Sequence, residues 1–257
     1  MNKYLIFLDI DGTLLSRGGI HPRNKAAIEQ AIANGHAVFI NSGRAKGNFP
    51  KQILQELPLT GIVAGLGCYI EMNGNVLHSV AMTDDDIAYA IKIADEWNLG
   101  LSLEGEDMVI DYHQERSSHW PSCGRKFESQ EELKSCYPNL RVSKMGYMDP
   151  LPAALAAAMQ ERFTLINHPT YAEFGNKHCN KATAMEFLMR HLGIDRDHVI
   201  AMGDSYNDTE MLQAAGIAVV MGDGHPDVKP LADLVTIPSF EGGVGYAIEE
   251  LVLKSQA

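Results

Sequence analysis

The sequence predicts an α/β fold carrying an inserted α+β domain, and three observations lead there. Short apolar runs near both ends of the chain stop abruptly at polar, carboxylate-bearing loops, as buried parallel strands do at their carboxyl ends. Helical patterns alternate with these runs at both ends. The middle of the chain loses that alternation and shows strands and helices without βαβ spacing, which suggests a separate α+β insertion. With 257 residues, 46% of them hydrophobic, the chain can bury a large core and is not of the disordered class.

Residues 3–8 form the first apolar strand, ending at Asp9. Asn24 to Ala33 has helical spacing and closes at Asn34-Gly35, a C-cap signal. His36 to Ile40 is a second strand, running into Asn41-Ser42-Gly43-Arg44. Near the other end, Lys181 opens a helix through Met189 to Leu192, and Val199 to Met202 is a strand. Gly203 to Asp208 is a polar loop, Glu210 to Ala215 a helix, and Ala218 to Met221 and Leu234 to Val235 are short strands. Open α/β sheets bind ligands beyond the carboxyl ends of their strands, so the loops after these strands are the places to look for chemistry. The middle offers a helix from Asp84 to Trp97, strands from Leu99 to Leu103 and Met108 to Tyr112, and a helix from Leu151 to Arg162. Strands from Phe163 to Asn167 and Thr170 to Phe174 follow. The expected division is a core of residues 1–82 and 175–257 around an insert of residues 83–174.

The bulk properties narrow the partners. The formal net charge of −12 argues against nucleic acid, which calls for a basic face. Carboxylates gathered in one site can instead hold a divalent cation that screens an anionic substrate. The run Tyr4 to Leu8 is too short for a signal-peptide core or a membrane span, so no membrane association is expected. Cys68, Cys123, Cys136 and Cys179 show no CxxC spacing, which fits free thiols in the cytoplasm.

Four segments carry chemistry. In Asp9-Ile10-Asp11-Gly12-Thr13, alternation along an extended backbone would put both carboxylates on one side. One could attack phosphorus to form an acyl phosphate while the other protonates the leaving oxygen and later deprotonates water. In Asn41-Ser42-Gly43-Arg44, a hydroxyl and adjacent N–H groups suit phosphoryl oxygens. Lys181 stands at a helix start, where a cation calls for a nearby anion. In Gly203-Asp204-Ser205-Tyr206-Asn207-Asp208, two aspartates and an asparagine offer the hard oxygens that Mg²⁺ prefers. Each segment alone also admits a plain reading: a strand-ending turn, a helix cap, a solvated lysine, a solvated loop.

Taken in order, the four segments resemble the haloacid dehalogenase (HAD) superfamily. The stretch from Met221-Gly222-Asp223 through Ala232-Asp233 and Val235-Thr236 to Glu241-Gly242-Gly243-Val244 is similar to its Cof-type sugar phosphatase branch. The resemblance covers nearly the whole chain outside the middle. It implies a Rossmann-like core, a three-layer α/β/α arrangement on a mostly parallel sheet, with a C2B-type cap that sets substrate specificity. It further implies Asp9 as nucleophile and Asp11 as acid and base, with Ser42, Gly43, Lys181 and Asn207 on the phosphate. Asp9, the Asp11 carbonyl, Asp204 and Asp208 would serve a Mg²⁺ cofactor. Two positions depart from the pattern: Ala182 stands where Gly commonly follows the lysine, and Gly242 where Asp is common. The expected activity is hydrolysis of a small phosphorylated metabolite, a sugar phosphate first of all, by a monomer or small homo-oligomer. A phosphomutase and a non-catalytic phosphate-ligand sensor are the competing readings. His113, Trp120 and Arg125 are candidate cap contacts, or ordinary surface and packing residues.

Overall fold

The structure is a computed structural model that describes residues 3–16, 18–117 and 124–254; Trp120 and Cys123 lie outside them. The chain divides into two compact units. The first runs up to Gly43, then from Pro50 to Leu77 and from Asn180 onward; the second takes Arg44–Phe49 and His78–Cys179.

The first unit is built on an eight-stranded sheet. In chain order its elements are β1 (Leu5–Leu8), β2 (Leu15–Ser16), β3 (Gly19–Ile20), α1 (Pro22–Ala33), β4 (Ala37–Asn41), α2 (Lys51–Glu56), β5 (Gly61–Ala64), β6 (Tyr69–Met72) and β7 (Asn75–Ser79), the last leading into the second unit. With β14 (Val199–Gly203), β15 (Ile217–Val220) and β16 (Leu234–Val235) from the end of the chain, the strands lie in the order β16-β15-β14-β1-β4-β5-β6-β7, the first six mutually parallel and β6 antiparallel to β5. The small β2–β3 hairpin stands apart as its own sheet. β1 is buried at every position because both sheet faces are covered. Leu5, Phe7, Phe39 and Val63 join Ala184, Met185, Leu188, Met211 and Leu212 in one apolar layer. Each such side chain removed from water contributes about 1.5–3 kcal/mol before the entropy of ordering is set against it. The first helix begins at Pro22, two residues earlier than the periodicity indicates. His21 caps it by accepting from Arg23 N, and proline at the first position costs no hydrogen bond.

The second unit contains α3 (Asp84–Glu96), β8 (Leu101–Gly105), β9 (Val109–Tyr112), β10 (Lys126–Phe127), α4 (Gln130–Cys136), β11 (Val142–Tyr147), α5 (Ala153–Arg162), β12 (Phe163–Asn167) and β13 (Ala172–Asn176). Its sheet order is β10-β9-β8-β11-β13-β12, with antiparallel pairing except between β10 and β9. Leu101, Leu103, Met145, Tyr147, Ala172 and Phe174 enter the apolar core with residues of α3 and α5. The alternate positions Ser102, Glu104, Lys144 and Glu173 point the other way, as the two-residue period of a strand requires, yet are also buried. Lys144 Nζ lies 3.2 Å from Glu104 Oε1 and 2.5 Å from Glu173 Oε2, and His168 Nε2 lies 2.9 Å from Glu173 Oε1.

The chain then returns to the first unit with α6 (Lys181–Leu192), β14 (Val199–Gly203), α7 (Thr209–Ala214), β15 (Ile217–Val220), β16 (Leu234–Val235) and α8 (Gly243–Ile248). α1 packs on α8, and Asn24 Oδ1 accepts from Gly245 N at 2.8 Å between them. Among the described residues, no helix is long and apolar enough to cross a membrane.

Candidate active site

β4, β1 and β14 are neighbours in the sheet, with Leu8 level with Ile40 on one side and Met202 on the other. The residues at the next positions, Asp9, Asn41 and Gly203, therefore share one carboxyl edge. Three widely separated segments of sequence meet there because three parallel strands end there.

The extended strand stops at Leu8, so Asp9 and Asp11 both stand on the loop that follows it. Leu14 N and Leu15 N bond back to Asp9 O and Ile10 O, folding the segment into a tight loop. Asp9 is buried and Asp11 exposed, with Asp11 bridged through its backbone to Leu15. Gly12 has φ +82°, and a Cβ there would lie 2.5 Å from Asp204 Oδ2, so the loop needs glycine for its conformation and for the carboxylate beside it.

Lys181 is the first residue of α6. Asn180 caps that helix by accepting from Thr183 N at 2.7 Å, while Asn180 N donates to Thr183 Oγ1 at 3.0 Å, a reciprocal cap that fixes the helix start. The lysine is no solvated surface residue: its side chain is 2% exposed and its Nζ lies 2.6 Å from both Asp9 Oδ1 and Asp208 Oδ1. Asp208 Oδ2 accepts from Asp204 N at 3.0 Å and Ser205 N at 3.1 Å, which closes the loop after β14. Thr13 Oγ1 donates to Asp204 Oδ1 at 3.1 Å. One oxygen each of Asp9, Asp204 and Asp208 lie within 4.8 Å of one another.

Three carboxylates thus face one ammonium, and the imbalance shows in their protonation. Burial pushes Asp9 up, and repulsion from Asp208 and Asp204 adds to it, although Lys181 pulls the other way. Burial and the Asp208 charge push Asp204 up to about 7. Burial alone would lower Lys181, but Asp208 and Asp9 together outweigh it and hold the ammonium charged. Hard oxygens, excess negative charge and close spacing are what a divalent cation requires, so the residues fit Mg²⁺.

Ser42, Gly43 and Asn207, also singled out in the sequence, stand at the same edge or near it. Ser42 and Gly43 are buried just past β4, with Ser42 N donating to Val63 O at 3.0 Å. Asn207 is half-buried, its Oδ1 accepting from Ser205 Oγ at 2.9 Å. In the second unit His113 is in the left-handed region at φ 47° with its Nδ1 2.8 Å from Glu115 Oε1, and Arg125 is exposed. Two contributors went unread as such in the sequence. Thr13 sits in the quoted motif but looks like turn filler, and Asn41, whose Nδ2 donates to Lys181 O at 3.0 Å, looks like the polar end of a strand. A polar residue closing a wholly apolar strand is the signal that could have found Asn41.

Such a sheet, with a carboxylate cluster at the ends of its parallel strands, defines a Rossmann-like α/β core. A model of the haloacid dehalogenase-like hydrolase family matches residues 6–248, and the chain belongs to that family, in its Cof-type branch. It is 28% identical over 255 residues to the 5-amino-6-(5-phospho-D-ribitylamino)uracil phosphatase YcsE of Bacillus subtilis, covering 97% of this chain and 96% of that one. It is 26% identical over 292 residues to the phosphatase YwpJ of the same organism, covering 96% and 99%. Among solved structures, it resembles the HAD phosphatase BT1666 from Bacteroides thetaiotaomicron with a TM-score of 0.82 at 21% identity, covering 97% and 95%, a likeness of fold. The chain is a hydrolase of the phosphatase class.

Proposed function

We propose that the protein is a Mg²⁺-dependent phosphatase that hydrolyses a small phosphorylated metabolite, a sugar or polyol phosphate, through an aspartyl phosphate on Asp9. The observation that carries this reading is the buried Lys181 ammonium shared by Asp9 and Asp208 beside Asp204. Asp9 attacks phosphorus as the ester P–O bond breaks, and Asp11, on its exposed loop, gives a proton to the departing oxygen. Asp11 then takes a proton from the water that attacks the aspartyl phosphate, releasing phosphate and restoring Asp9. The exposure of Asp11 beside a buried Asp9 supports this division, since a group that trades protons must reach solvent and leaving group alike. Ser42, Gly43 N–H, Asn207 and Lys181 hold phosphoryl oxygens, where donors and a cation stabilise charge as it spreads in the transition state.

Mg²⁺ would be held by Asp9, Asp204 and the carbonyl of Asp11. Asp208 would support it from behind, because both Asp208 oxygens already accept hydrogen bonds. When bound, the ion supplies charge neutralisation for the phosphoryl group. The second unit is proposed as a substrate-selecting cap. The substrate that names the YcsE relative bears a phosphorylated ribityl chain, which supports beginning a search with polyol and sugar phosphates.

A panel of sugar, polyol, nucleotide and aryl phosphates, assayed with Mg²⁺ and with excess chelator, tests the proposal. Turnover that depends on Mg²⁺ and vanishes in Asp9→Asn is the expected result. Full activity in chelator would sink the metal assignment, and transfer of phosphate within the substrate without release would make the enzyme a mutase.

A further inference from the structure

β5 and β6 form a hairpin whose turn, Gly65-Leu66-Gly67-Cys68, is closed by Cys68 N donating to Gly65 O at 3.1 Å. Its central residues have φ values of 56° and 86°, the signs of a type I′ turn, for which Asn-Gly is the favoured pair. Here the first of the two is leucine, a residue that avoids the left-handed region, and it is buried at 2% exposure. The turn is therefore held in an unfavourable backbone shape by its surroundings, and such residues cluster where a site must be preorganised.

What the turn touches gives it a purpose. A Cβ on Gly67 would lie 2.2 Å from Asn180 O and 2.8 Å from its carbonyl carbon, so the Gly67 backbone rests directly on the cap of α6. Asn41 holds the next carbonyl, that of Lys181, at 3.0 Å. The root of a long, flexible lysine is thus fixed by two neighbouring strand ends, one ending at Asn41 and one at Ala64. Its ammonium must then meet two carboxylates at 2.6 Å each.

We infer that the Leu66–Gly67 turn is a positioning element for Lys181: its seat on the Asn180 carbonyl sets where α6 begins and so where the ammonium meets Asp9. The activity readout below rests on the phosphatase reading; the crystallographic one does not. Gly67→Ala adds a Cβ where the Asn180 carbonyl stands. The crystal structure of that variant should show the carbonyl displaced and the Lys181–Asp9 contact broken. Its kcat on an aryl phosphate should fall by roughly 10²-fold, the cost of misplacing a catalytic group by about 1 Å. Leu66→Gly separates backbone from side chain, because it keeps the turn and removes the buried leucine. It should lower Tm while retaining the Lys181–Asp9 contact and much more of kcat than Gly67→Ala does. If Gly67→Ala does not fold, Leu66→Val disfavours the left-handed backbone at the turn's other central position and should break the same contact. Lys181 found in place in Gly67→Ala or Leu66→Val would overturn the inference, as would equal kcat losses in Leu66→Gly and Gly67→Ala. A wild type inactive on every ester would defeat the phosphatase reading and leave the position of Lys181 to decide this one.

Discussion

Among the described residues two lysines are buried, each held between two carboxylates, and they differ in what surrounds the trio. Lys181 lies between Asp9 and Asp208 with a third carboxylate, Asp204, close by. Lys144 lies between Glu104 and Glu173, with His168 on the far side of Glu173. In the first cluster burial and mutual repulsion push carboxylates up. In the second, burial would push Glu173 up, but Lys144 and His168 hold it down to about 2. One cluster sets three carboxylates around its ammonium, and the other sets two, one of them also held by a histidine. The same residue types thus make a site ready for a cation in one place and a self-sufficient ion pair in the other.

The largest expected contrast is catalytic. Asp9→Asn should lose kcat by roughly 10⁴-fold or more, the scale of removing a nucleophile, while still binding Mg²⁺ and substrate. Steady-state rates with titration calorimetry check this, and near wild-type turnover would end the covalent mechanism.

Asp11→Asn should act more selectively. Loss of a general acid costs about 10²–10⁴-fold on an alkyl phosphate, whereas an aryl phosphate, whose phenolate leaves unaided, should still phosphorylate Asp9 and then stall. Rapid mixing should show a burst of aryl alcohol followed by slow turnover. Equal losses on both esters without a burst would withdraw the acid and base role.

The second cluster should answer in stability. Lys144→Met leaves two buried glutamates facing each other and should cost about 3–5 kcal/mol, but adding Glu104→Gln and Glu173→Gln should recover most of that loss. Chemical denaturation measures both. A triple variant no more stable than the single one would show that the charges do more than satisfy one another.

The smallest effect is a difference in sign with pH. Glu173 has a lowered folded pKa, so its contribution is present above the unfolded value of 4.5 and is lost as pH falls toward about 2. Asp204 in metal-free protein has a raised one, so its contribution is present below 3.8 and is lost as pH rises through about 7. Tm against pH for metal-free protein should decline between these two values, and Asp204→Asn should flatten that decline. Saturating Mg²⁺ at 100 times Kd should instead add about 2.7 kcal/mol at neutral pH.

Much of this was legible in the chain. The strand into Asp9, the strand into Gly203 and the helix from Lys181 all show in hydropathy and caps, because a buried parallel strand is a continuous apolar run and a helix start needs its cap. β11 was not legible. Val142-Ser143-Lys144-Met145-Gly146-Tyr147 carries a lysine at its centre, and only the two glutamates on β8 and β13 make that position habitable. The β5–β6 hairpin also escaped notice, since its turn is led by leucine where the pattern asks for asparagine. At the site, residue types and order pointed to loops that the structure brings to one sheet edge. The tight loop from Asp9 to Leu15 was not legible, because an apolar run does not show that the extended backbone ends at Leu8.

The carboxylate of Asp204 fills the space beside Gly12, and its partner Thr13 is 191 residues away along the chain. That spacing has a consequence for synthesis. A nascent chain emerges from its N-terminus and domains fold as they are completed, so the second unit, finished at Cys179, can close its own sheet while the first still lacks α6, β14 and two of the three clustered aspartates. No fragment ending before Asp208 holds the full set of Asp9, Lys181, Asp204 and Asp208. On the proposed mechanism the chain therefore stays chemically silent for most of its elongation, and the cluster is complete only when the last third docks against the first.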